Sequence, residues 1–398
     1  MKYSSPTFDV NLDPDGFVVD VDSLFDCFTR LRDRRHARGV RYALVTVLVY
    51  IVLAKLAGEN QLTGIADWVR LRRKELARAF HLKKPRAPHL STYSRLLGHV
   101  VDVEEFERVV RDFFAAQPHA GESITLAVDG KTLRGTIPAG RTHGVHLLAA
   151  YLTGEGWVLL QVEVGRKENE VTVAPRLLKA LDLRGKIVTG DAMLAQRELS
   201  AQIVDAGGGY VWTVKGNQAG LEQDLTTLFD PEPVVKGFSA ASHDDFATEQ
   251  VVNKGHGRLE RRTITVSSAL KGYVDWPYAE QVFRLERWVR QIGTGKETCQ
   301  IVHGVTSLTA AEADARRLLE LTRGHWGIEN GLHYRRDATL REDWSQVRRG
   351  HAPQVLAALN NVVLGLLHRQ GVTNVPQARR RYAAHWEEAL PLILQAQT

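Results

Sequence analysis

Three apolar runs separated only by short turns constrain the fold of this chain more than any other feature. The runs cover residues 124–129, 145–153 and 157–164. The turns between them contain four glycines: Gly140, Gly144, Gly154 and Gly156. Runs of this length and spacing predict three neighbouring strands in a meander.

Helical and strand patterns alternate after the meander. They predict helices at 170–181, 195–206 and 221–229, with strands at 186–190 and 210–215 between them. This order predicts an α/β fold with a mixed sheet flanked by helices. The first strand is predicted to end at Asp129 and the fourth at Asp191. A parallel fourth strand beside the first would bring these two carboxylates together.

Four segments are predicted along the chain. They are a helical, basic N-terminal domain (1–120), the first part of a catalytic core (121–230), a strand-rich insertion (231–307) and a helical completion of that core (308–398). The insertion has strand patterns at 262–266, 281–290 and 297–305, and a long helix is predicted from about Thr309 through Glu329. Three glycines interrupt that helix and weaken it.

Charge is distributed unevenly in this chain of net charge +6. Between Phe28 and His99 there are 16 Lys and Arg against four acids, so the rest of the chain is mildly acidic. A basic helical region of this kind is typical of a module that binds a polyanion.

Cellular location is predicted from what the sequence lacks. The longest apolar run, 42–54, is too short to cross a bilayer and predicts a buried core helix. The first 25 residues lack the pattern of a signal peptide. Cys27 and Cys299 lie far apart without metal-site spacing. We therefore expect a reduced cytoplasmic, nucleoid-associated protein without a membrane partner.

Three acids could serve metal-dependent phosphodiester chemistry. Asp129 and Asp191 follow strands, and Glu329 lies on the long helix. Such chemistry uses two hard cations held by oxygen ligands, so we expect two Mg²⁺, with Mn²⁺ able to substitute. A zinc site made by His325, Glu329 and His333 is an alternative, although it lacks the His-Glu-x-x-His order and a thiolate.

Basic and amide side chains near these acids are candidate phosphate contacts. Lys131, Arg134 and Lys167 are expected near the same sheet edge, and Lys215 and Asn217 flank a glycine after the fifth strand. Helical spacing places His325, Glu329, His333 and Arg336 on one face of the long helix. The sequence therefore predicts that His325, His333 and Arg336 contact DNA beside Glu329.

Six motifs in order resemble those of the ISAs-one family of bacterial insertion-sequence transposases, which includes the H-repeat-associated proteins. They are 129–135 (Asp-Gly-Lys-Thr-Leu-Arg-Gly), 167–170 (Lys-Glu-Asn-Glu), 189–193 (Thr-Gly-Asp-Ala-Met), 215–218 (Lys-Gly-Asn-Gln), 255–261 (Gly-His-Gly-Arg-Leu-Glu-Arg) and 325–333 (His-Trp-Gly-Ile-Glu-Asn-Gly-Leu-His). The resemblance covers nearly the whole chain. It implies a ribonuclease-H-like core whose DDE triad is Asp129, Asp191 and Glu329.

The resemblance also implies an activity. Such enzymes bind the terminal inverted repeats of their element, cleave its ends and join them to target DNA with two Mg²⁺. We expect double-stranded DNA as the partner, a homodimer on that DNA, and no small-molecule substrate. Arg258 and Arg261 in the insertion would contact the element end, and Trp276 or Trp288 would either stack there or belong to the core.

Some residues depart from the superfamily pattern around the helical Glu. Thr322 and His325 replace the Tyr and Arg, and Arg336 stands where the Lys would be. Three further acids, Asp337, Glu342 and Asp343, are alternative third metal ligands. Two other functions remain open: a domesticated, catalytically silent DNA-binding protein, and a nuclease acting on RNA hybrids or branched DNA.

Overall fold

The computed structural model describes residues 22–116, 124–230, 245–255 and 257–395. The first residues of the predicted N-terminal domain and of the insertion, and His256 of the 255–261 motif, lie outside the described residues. Within the described part, one mixed sheet runs through the middle of the chain, and helices cover it.

The N-terminal region is helical, as the sequence predicts. Its helices are α1 (Leu24–Thr29), α2 (Leu44–Leu56), α3 (Leu62–Leu71), α4 (Arg73–Ala79), α5 (Leu90–Arg95) and α6 (Val103–Ala115). The apolar run forms α2, whose residues are buried nearly all round because α1, α3 and a C-terminal helix pack against it. A helix that is apolar on every side is typical of a protein core.

The residues of the predicted meander, and those of the alternating helices and strands after it, form five strands and three helices. These are β1 (Thr125–Leu133), β2 (Val145–Leu152), β3 (Trp157–Val164), α7 (Glu170–Lys179), β4 (Ile187–Gly190), α8 (Arg197–Asp205), β5 (Gly209–Val214) and α9 (Ala219–Phe229). Strands β1 to β3 are antiparallel, and β4 and β5 run parallel to β1 in the order β3-β2-β1-β4-β5. This is the predicted ribonuclease-H-like mixed sheet. The prediction was wrong about β1, which continues past Asp129 to Leu133 because β2 pairs with it along that whole length.

The strands of the predicted insertion extend the same sheet. They are β6 (Ala247–Gly255), β7 (Arg258–Ser267), β8 (Gln281–Gln291) and β9 (Glu297–Thr306), and β9 pairs with β5. The full order is β3-β2-β1-β4-β5-β9-β8-β7-β6. The sequence did not predict β6, because this edge strand is largely exposed and carries no regular apolar pattern.

The C-terminal region begins with the helix that bears Glu329. Helix α10 (Ala315–Ile328) starts after the Asp314 cap rather than near Thr309, and two π-helical turns, Glu329–His333 and Arg335–Thr339, continue it. Three further helices follow: α11 (Ala352–Arg369), α12 (Val375–Ala384) and α13 (Pro391–Leu394). Helix α11 is buried between β3 and α2 and joins the N-terminal helices to the sheet. Across the described residues, no helix is both long and apolar enough to cross a membrane.

Candidate functional site

Sheet register places Asp129 and Asp191 side by side. The parallel pairing between β1 and β4 ends at Val128 and Gly190, and each of the two aspartates is the next residue in the chain. Asp191 leaves the sheet and caps a short 3₁₀ turn, where its Oδ1 accepts from the backbone N–H groups of Met193 and Leu194 at 3.0 and 3.3 Å. Both carboxylates therefore stand where the parallel pairing ends.

Gly130, which follows Asp129, packs closely against two side chains that contact each other. Gly130 faces His146 and Glu170 on the opposite side of the strand, and their side chains contact each other at 2.8 Å (Nε2 to Oε1). A Cβ at position 130 would overlap with the Glu170 carboxylate and lie 2.8 Å from His146 Nε2. This close packing accounts for the Gly that follows Asp129.

Glu329 approaches Asp129 from the first π-helical turn. Gly331 lets this turn approach β2 closely, since a Cβ there would lie 2.6 Å from the Tyr151 hydroxyl. Carboxylate oxygens of Asp129 and Glu329 and a ring nitrogen of His333 lie within 4.8 Å of one another. Asp191 lines one cleft with Asp129 and Glu329 but lies outside this group of ligand atoms. A π turn is often found at functional sites, and here it presents two potential metal ligands, Glu329 and His333, towards β1.

The two histidines of the 325–333 motif have different surroundings. His333 is 4% exposed, and its Nε2 lies 3.2 Å from Asp129 Oδ2. The Nδ1 atom of His325 lies 3.4 Å from the hydroxyl oxygen of Thr189. Burial lowers the pKa of His325, although the charges of Asp129 and Asp191 oppose this shift. His325 therefore favours the neutral form, and it is absent from the group of ligand atoms that includes His333.

The structure corrects the placement of two predicted DNA contacts. Arg336 is fully buried, with its Nε 2.7 Å from Glu342 Oε2, so its guanidinium cannot reach a phosphate. Lys131 is also buried and pairs with Asp337 at 2.6 Å and with Asp343 at 3.7 Å. Both cations were assigned to the surface because sequence spacing does not distinguish an exposed cation from an internal one.

The alternative third ligands are engaged in these same ion pairs. Asp337 and Asp343 pair with Lys131, and Glu342 pairs with Arg336. Among the described residues, none of the three joins the cluster of potential ligand atoms. Glu329 is the helical acid that does.

A cleft of about 450 Å³ opens over the acids. Asp129, Asp191 and Glu329 line it together with His325 and Lys215. Four residues that the sequence did not single out also line it: Arg262, Arg287, Arg323 and Trp326. Trp326 is 57% exposed. Trp326 precedes Glu329 by three residues and Arg323 precedes Trp326 by three, so successive helical spacings could have identified them, whereas Arg262 and Arg287 come from distant strands.

The remaining predicted contacts lie around the cleft or away from it. Arg134 is 80% exposed although it lies 3.7 Å from Asp343, and Lys167 is exposed in the turn before α7. Asn217 is exposed, and its amide donates to the Ala192 carbonyl at 2.7 Å.

Arg258 and Arg261 lie on β7. Arg258 pairs with Glu260 at 3.6 Å, and Arg261 stacks over Trp288 at 5.3 Å and pairs with Glu286 at 3.7 Å. Because side chains alternate along a strand, Arg261 is on the face opposite to Arg262, which lines the cleft. Trp276 is buried, so it belongs to the core.

The donors at the cleft floor fit a hard or borderline divalent cation. Three carboxylates line the cleft and offer oxygen ligands, which Mg²⁺ and Mn²⁺ prefer. His333 offers a nitrogen beside two of them, Asp129 and Glu329. Neither ring nitrogen of His333 has a hydrogen-bond partner among the described residues. A buried polar group in that state needs an explanation, and an ion is one of the recognised ones.

Comparison with known proteins gives two family models in chain order. The model described as "DDE_Tnp_1-associated" matches residues 25–114, and the one described as "Transposase DDE domain" matches residues 120–366. The second match contains Asp129, Asp191 and Glu329.

Curated relatives extend over most of the chain. "Putative transposase YncI" of Escherichia coli O157:H7 is 29% identical over 353 residues, which are 88% of each chain. "H repeat-associated putative transposase YhhI" of Escherichia coli K12 is 25% identical over 88% of this chain and 91% of its own. A solved piggyBac transposase synaptic complex with hairpin DNA has a TM-score of 0.40 and 11% identity, over 93% of this chain and 78% of that one.

Proposed function

The chain belongs to the DDE transposase family, and we propose that it binds the terminal inverted repeats of an insertion sequence, cleaves the element ends and joins them to target DNA. The observation that carries this proposal is the cleft that Asp129, Asp191 and Glu329 line together with several basic side chains. Carboxylates suit divalent cations and basic side chains suit phosphates. Metal-dependent chemistry on a nucleic-acid backbone is the activity that this combination favours.

Asp129, Asp191 and Glu329 would hold two Mg²⁺, for which Mn²⁺ substitutes. When bound, such ions supply an activated attacking oxygen and stabilise charge on the leaving one. The chain's own part is to keep the carboxylates in place: β1 holds Asp129, and two backbone N–H groups hold Asp191 through Oδ1. Glu329 is held by the packing of its π turn on β2.

Basic side chains would guide the DNA backbone into the cleft. Lys215, Arg262, Arg287 and Arg323 lie on its walls. Glu260 forms ion pairs with both Arg262 and Arg287 at 2.6 Å, so Lys215 and Arg323 are the stronger candidates for phosphate contact. Among the other predicted contacts, Arg134 and Lys167 are exposed on the same domain as the acids, and Asn217 follows Lys215.

Two further groups of residues would bind the element end. Arg258 and Arg261 lie on the strands beyond β5, and Arg261 covers Trp288. The exposed cations of the N-terminal helices form the second group, consistent with the excess of Lys and Arg between Phe28 and His99. We propose that a homodimer holds two ends; mass photometry of the protein with end DNA should then show two chains per complex.

A cleavage assay tests the proposal directly. The DNA that flanks the gene, including any inverted repeats, is incubated with protein and Mg²⁺, Mn²⁺ or EDTA. Wild-type protein should cut at the element ends with either cation, and Asp191→Ala should bind the DNA without cutting it. The matched control is Asp182→Ala, which removes an exposed acid paired with Arg184 outside the cleft. Equal cutting by wild type and Asp191→Ala would refute the proposed catalytic role.

Competition separates this function from the two alternatives. At moderate salt, end DNA should compete for binding far better than an unrelated duplex, because sequence-independent phosphate contacts weaken as salt rises. Equal competition together with cutting would favour a general nuclease. Specific binding without cutting under either cation would favour a domesticated DNA-binding protein.

A further inference from the structure

A histidine on the Glu329 turn is buried beside the acids and has no hydrogen-bond partner. His333 is 4% exposed, and neither Nδ1 nor Nε2 makes a hydrogen bond to a described residue. Its Nε2 lies 3.2 Å from Asp129 Oδ2 without forming a hydrogen bond to it. Buried polar side chains nearly always have a partner. The surroundings of His333 therefore leave a place for one.

We infer that His333 is a nitrogen ligand of a divalent cation that Asp129 and Glu329 also hold. A carboxylate oxygen from each acid and a ring nitrogen of His333 come within 4.8 Å of one another, close enough to share one ion. The inference rests on the proposed function, because it adds a ligand to the same metal centre. It assigns a mixed donor set of two oxygens and one nitrogen to the ion at Asp129.

The local structure makes this arrangement specific to His333. Glu329 and His333 begin and end one π-helical turn, so both side chains project towards β1. His325, which lies four residues before Glu329, is directed instead towards Thr189 and is outside the cluster. The burial of His333 also removes it from the surface on which DNA would lie, so the predicted phosphate contact is replaced by a metal contact.

A nitrogen donor changes which cations the centre prefers. Mg²⁺ binds oxygen ligands almost exclusively, whereas Mn²⁺, although it also favours oxygen, accepts an imidazole nitrogen more readily because it is a first-row transition ion. The centre should therefore bind Mn²⁺ more tightly than Mg²⁺, and the difference should depend on His333. An all-carboxylate centre would not show that dependence.

Pulsed electron paramagnetic resonance of the full-length protein loaded with Mn²⁺ tests the inference without any DNA reaction. A coordinated imidazole should give a ¹⁴N coupling to the Mn²⁺ spin, and labelling histidine with ¹⁵N should change it. His333→Asn should lose the coupling and bind Mn²⁺ at least about tenfold more weakly in calorimetry, with a smaller loss for Mg²⁺. His325→Asn is the matched control, because it removes the other imidazole of the 325–333 motif, which lies near Thr189 and outside the cluster, and it should keep the coupling.

Three results would overturn the inference: no binding of Mn²⁺, no histidine nitrogen coupling in wild type, or a coupling that persists in His333→Asn. The isotope experiment uses wild-type protein, so the test stands even if His333→Asn does not fold. Failure here is distinguishable from failure of the proposed function. DNA cleavage without a nitrogen coupling would leave the transposase proposal intact, and a coupling without cleavage would support the metal centre alone.

Discussion

The two halves of the acid-bearing cleft are held in different ways. In the sheet half, main-chain register sets the positions of Asp129 and Asp191, because each comes directly after the last residue of the β1–β4 pairing. In the helix half, Glu329 and His333 lie on a π turn whose continuation carries the buried Arg336. That guanidinium is held by side chains rather than by a ladder of backbone bonds.

These side chains form a continuous chain of hydrogen bonds through the interior, here called the buried polar chain. Its members are Lys55, Asn360, Glu342, Arg336, Asn361, Gln161 and Glu107, in that order, with donor–acceptor distances from 2.7 to 3.4 Å. It connects α2 and α6 of the N-terminal region to the second π turn, to α11 and to β3.

The two halves differ in how many interactions keep the acids in place. A register is maintained by many backbone bonds, so losing one side chain changes it little. In a buried polar chain, each member satisfies its neighbours, and removing one leaves a polar or charged group unpaired in a low dielectric. The helix half should therefore be the more sensitive to single substitutions.

Arg336→Ala should have the largest effect on stability. It leaves the Glu342 carboxylate buried without its cation, which costs on the order of 3–5 kcal/mol. Burial alone would raise the pKa of Glu342, yet the charge and hydrogen bond of Arg336 and the Asn360 amide lower it overall. The free energy of unfolding, measured in urea at pH 7, should fall by that amount. Exposed Lys215→Ala should change it by no more than about 0.5 kcal/mol, and equal effects would contradict the comparison.

Glu107→Gln tests the other end of the buried polar chain through pH. Burial raises the pKa of Glu107 to about 7 from the ordinary 4.5, although hydrogen bonds from Gln161 oppose this. The folded state holds this proton more tightly than the unfolded state, so the contribution of Glu107 to stability is greatest below about pH 4.5 and falls as pH rises to about 7. The fall is worth up to about 3 kcal/mol. Between pH 5 and pH 8, urea denaturation should show a larger loss in the free energy of unfolding for wild type than for Glu107→Gln. An equal loss in the two proteins would refute this role of Glu107.

Gly190→Ala tests the sheet half by overpacking. A Cβ there would lie 2.8 Å from the Trp212 ring and 2.9 Å from Leu194 Cδ1, both in the core. We expect a loss of about 1–3 kcal/mol in the free energy of unfolding. Gly216→Ala, where a Cβ would meet no atom within 4 Å, is the matched control and should stay close to wild type. A larger loss than that of Arg336→Ala would reverse the comparison.

Asn169→Ala should have the smallest effect of the four. Its side chain caps α7 by accepting from the Thr172 N–H at 2.9 Å, and Thr172 Oγ1 accepts in return from the Asn169 N–H at 3.1 Å. Loss of such a cap costs about 1 kcal/mol. Hydrogen exchange should quicken in the first turn of α7 and remain unchanged in α12, whose separate Asn374 cap serves as the internal reference. Unchanged protection in α7 would show that the cap contributes nothing.

Much of the sheet half was predictable because its signals are local. Apolar runs and turns predicted β1 to β5 in the right order, and the order placed Asp129 and Asp191 on neighbouring strands. The strand β6 was missed because its side chains are mostly exposed. The start of α10 was predicted several residues early, since the apolar pattern does not mark the Asp314 cap.

The helix half was predictable only in part. Helical spacing grouped Glu329 with His333, which the structure brings together, but it also placed His325 in that group and assigned Arg336 to the DNA surface. A helical pattern specifies which residues share a face, not what that face meets. Glu342, the acid that pairs with Arg336, is close to it in sequence. The orientation of Glu342 depends on Asn360 of α11, which in turn accepts a hydrogen bond from Lys55 of α2.

The sequence by itself determined the order of strands and helices, the candidate acids and the family to which the chain belongs, because these depend on local periodicity and on ordered motifs. The tertiary structure alone decided which charges are internal. Lys131 and Arg336 are buried in ion pairs, while Lys215 and Arg323 lie on the walls of the cleft. The physical reason is that the environment of a charge is set by elements distant in the chain, whose packing no local pattern records.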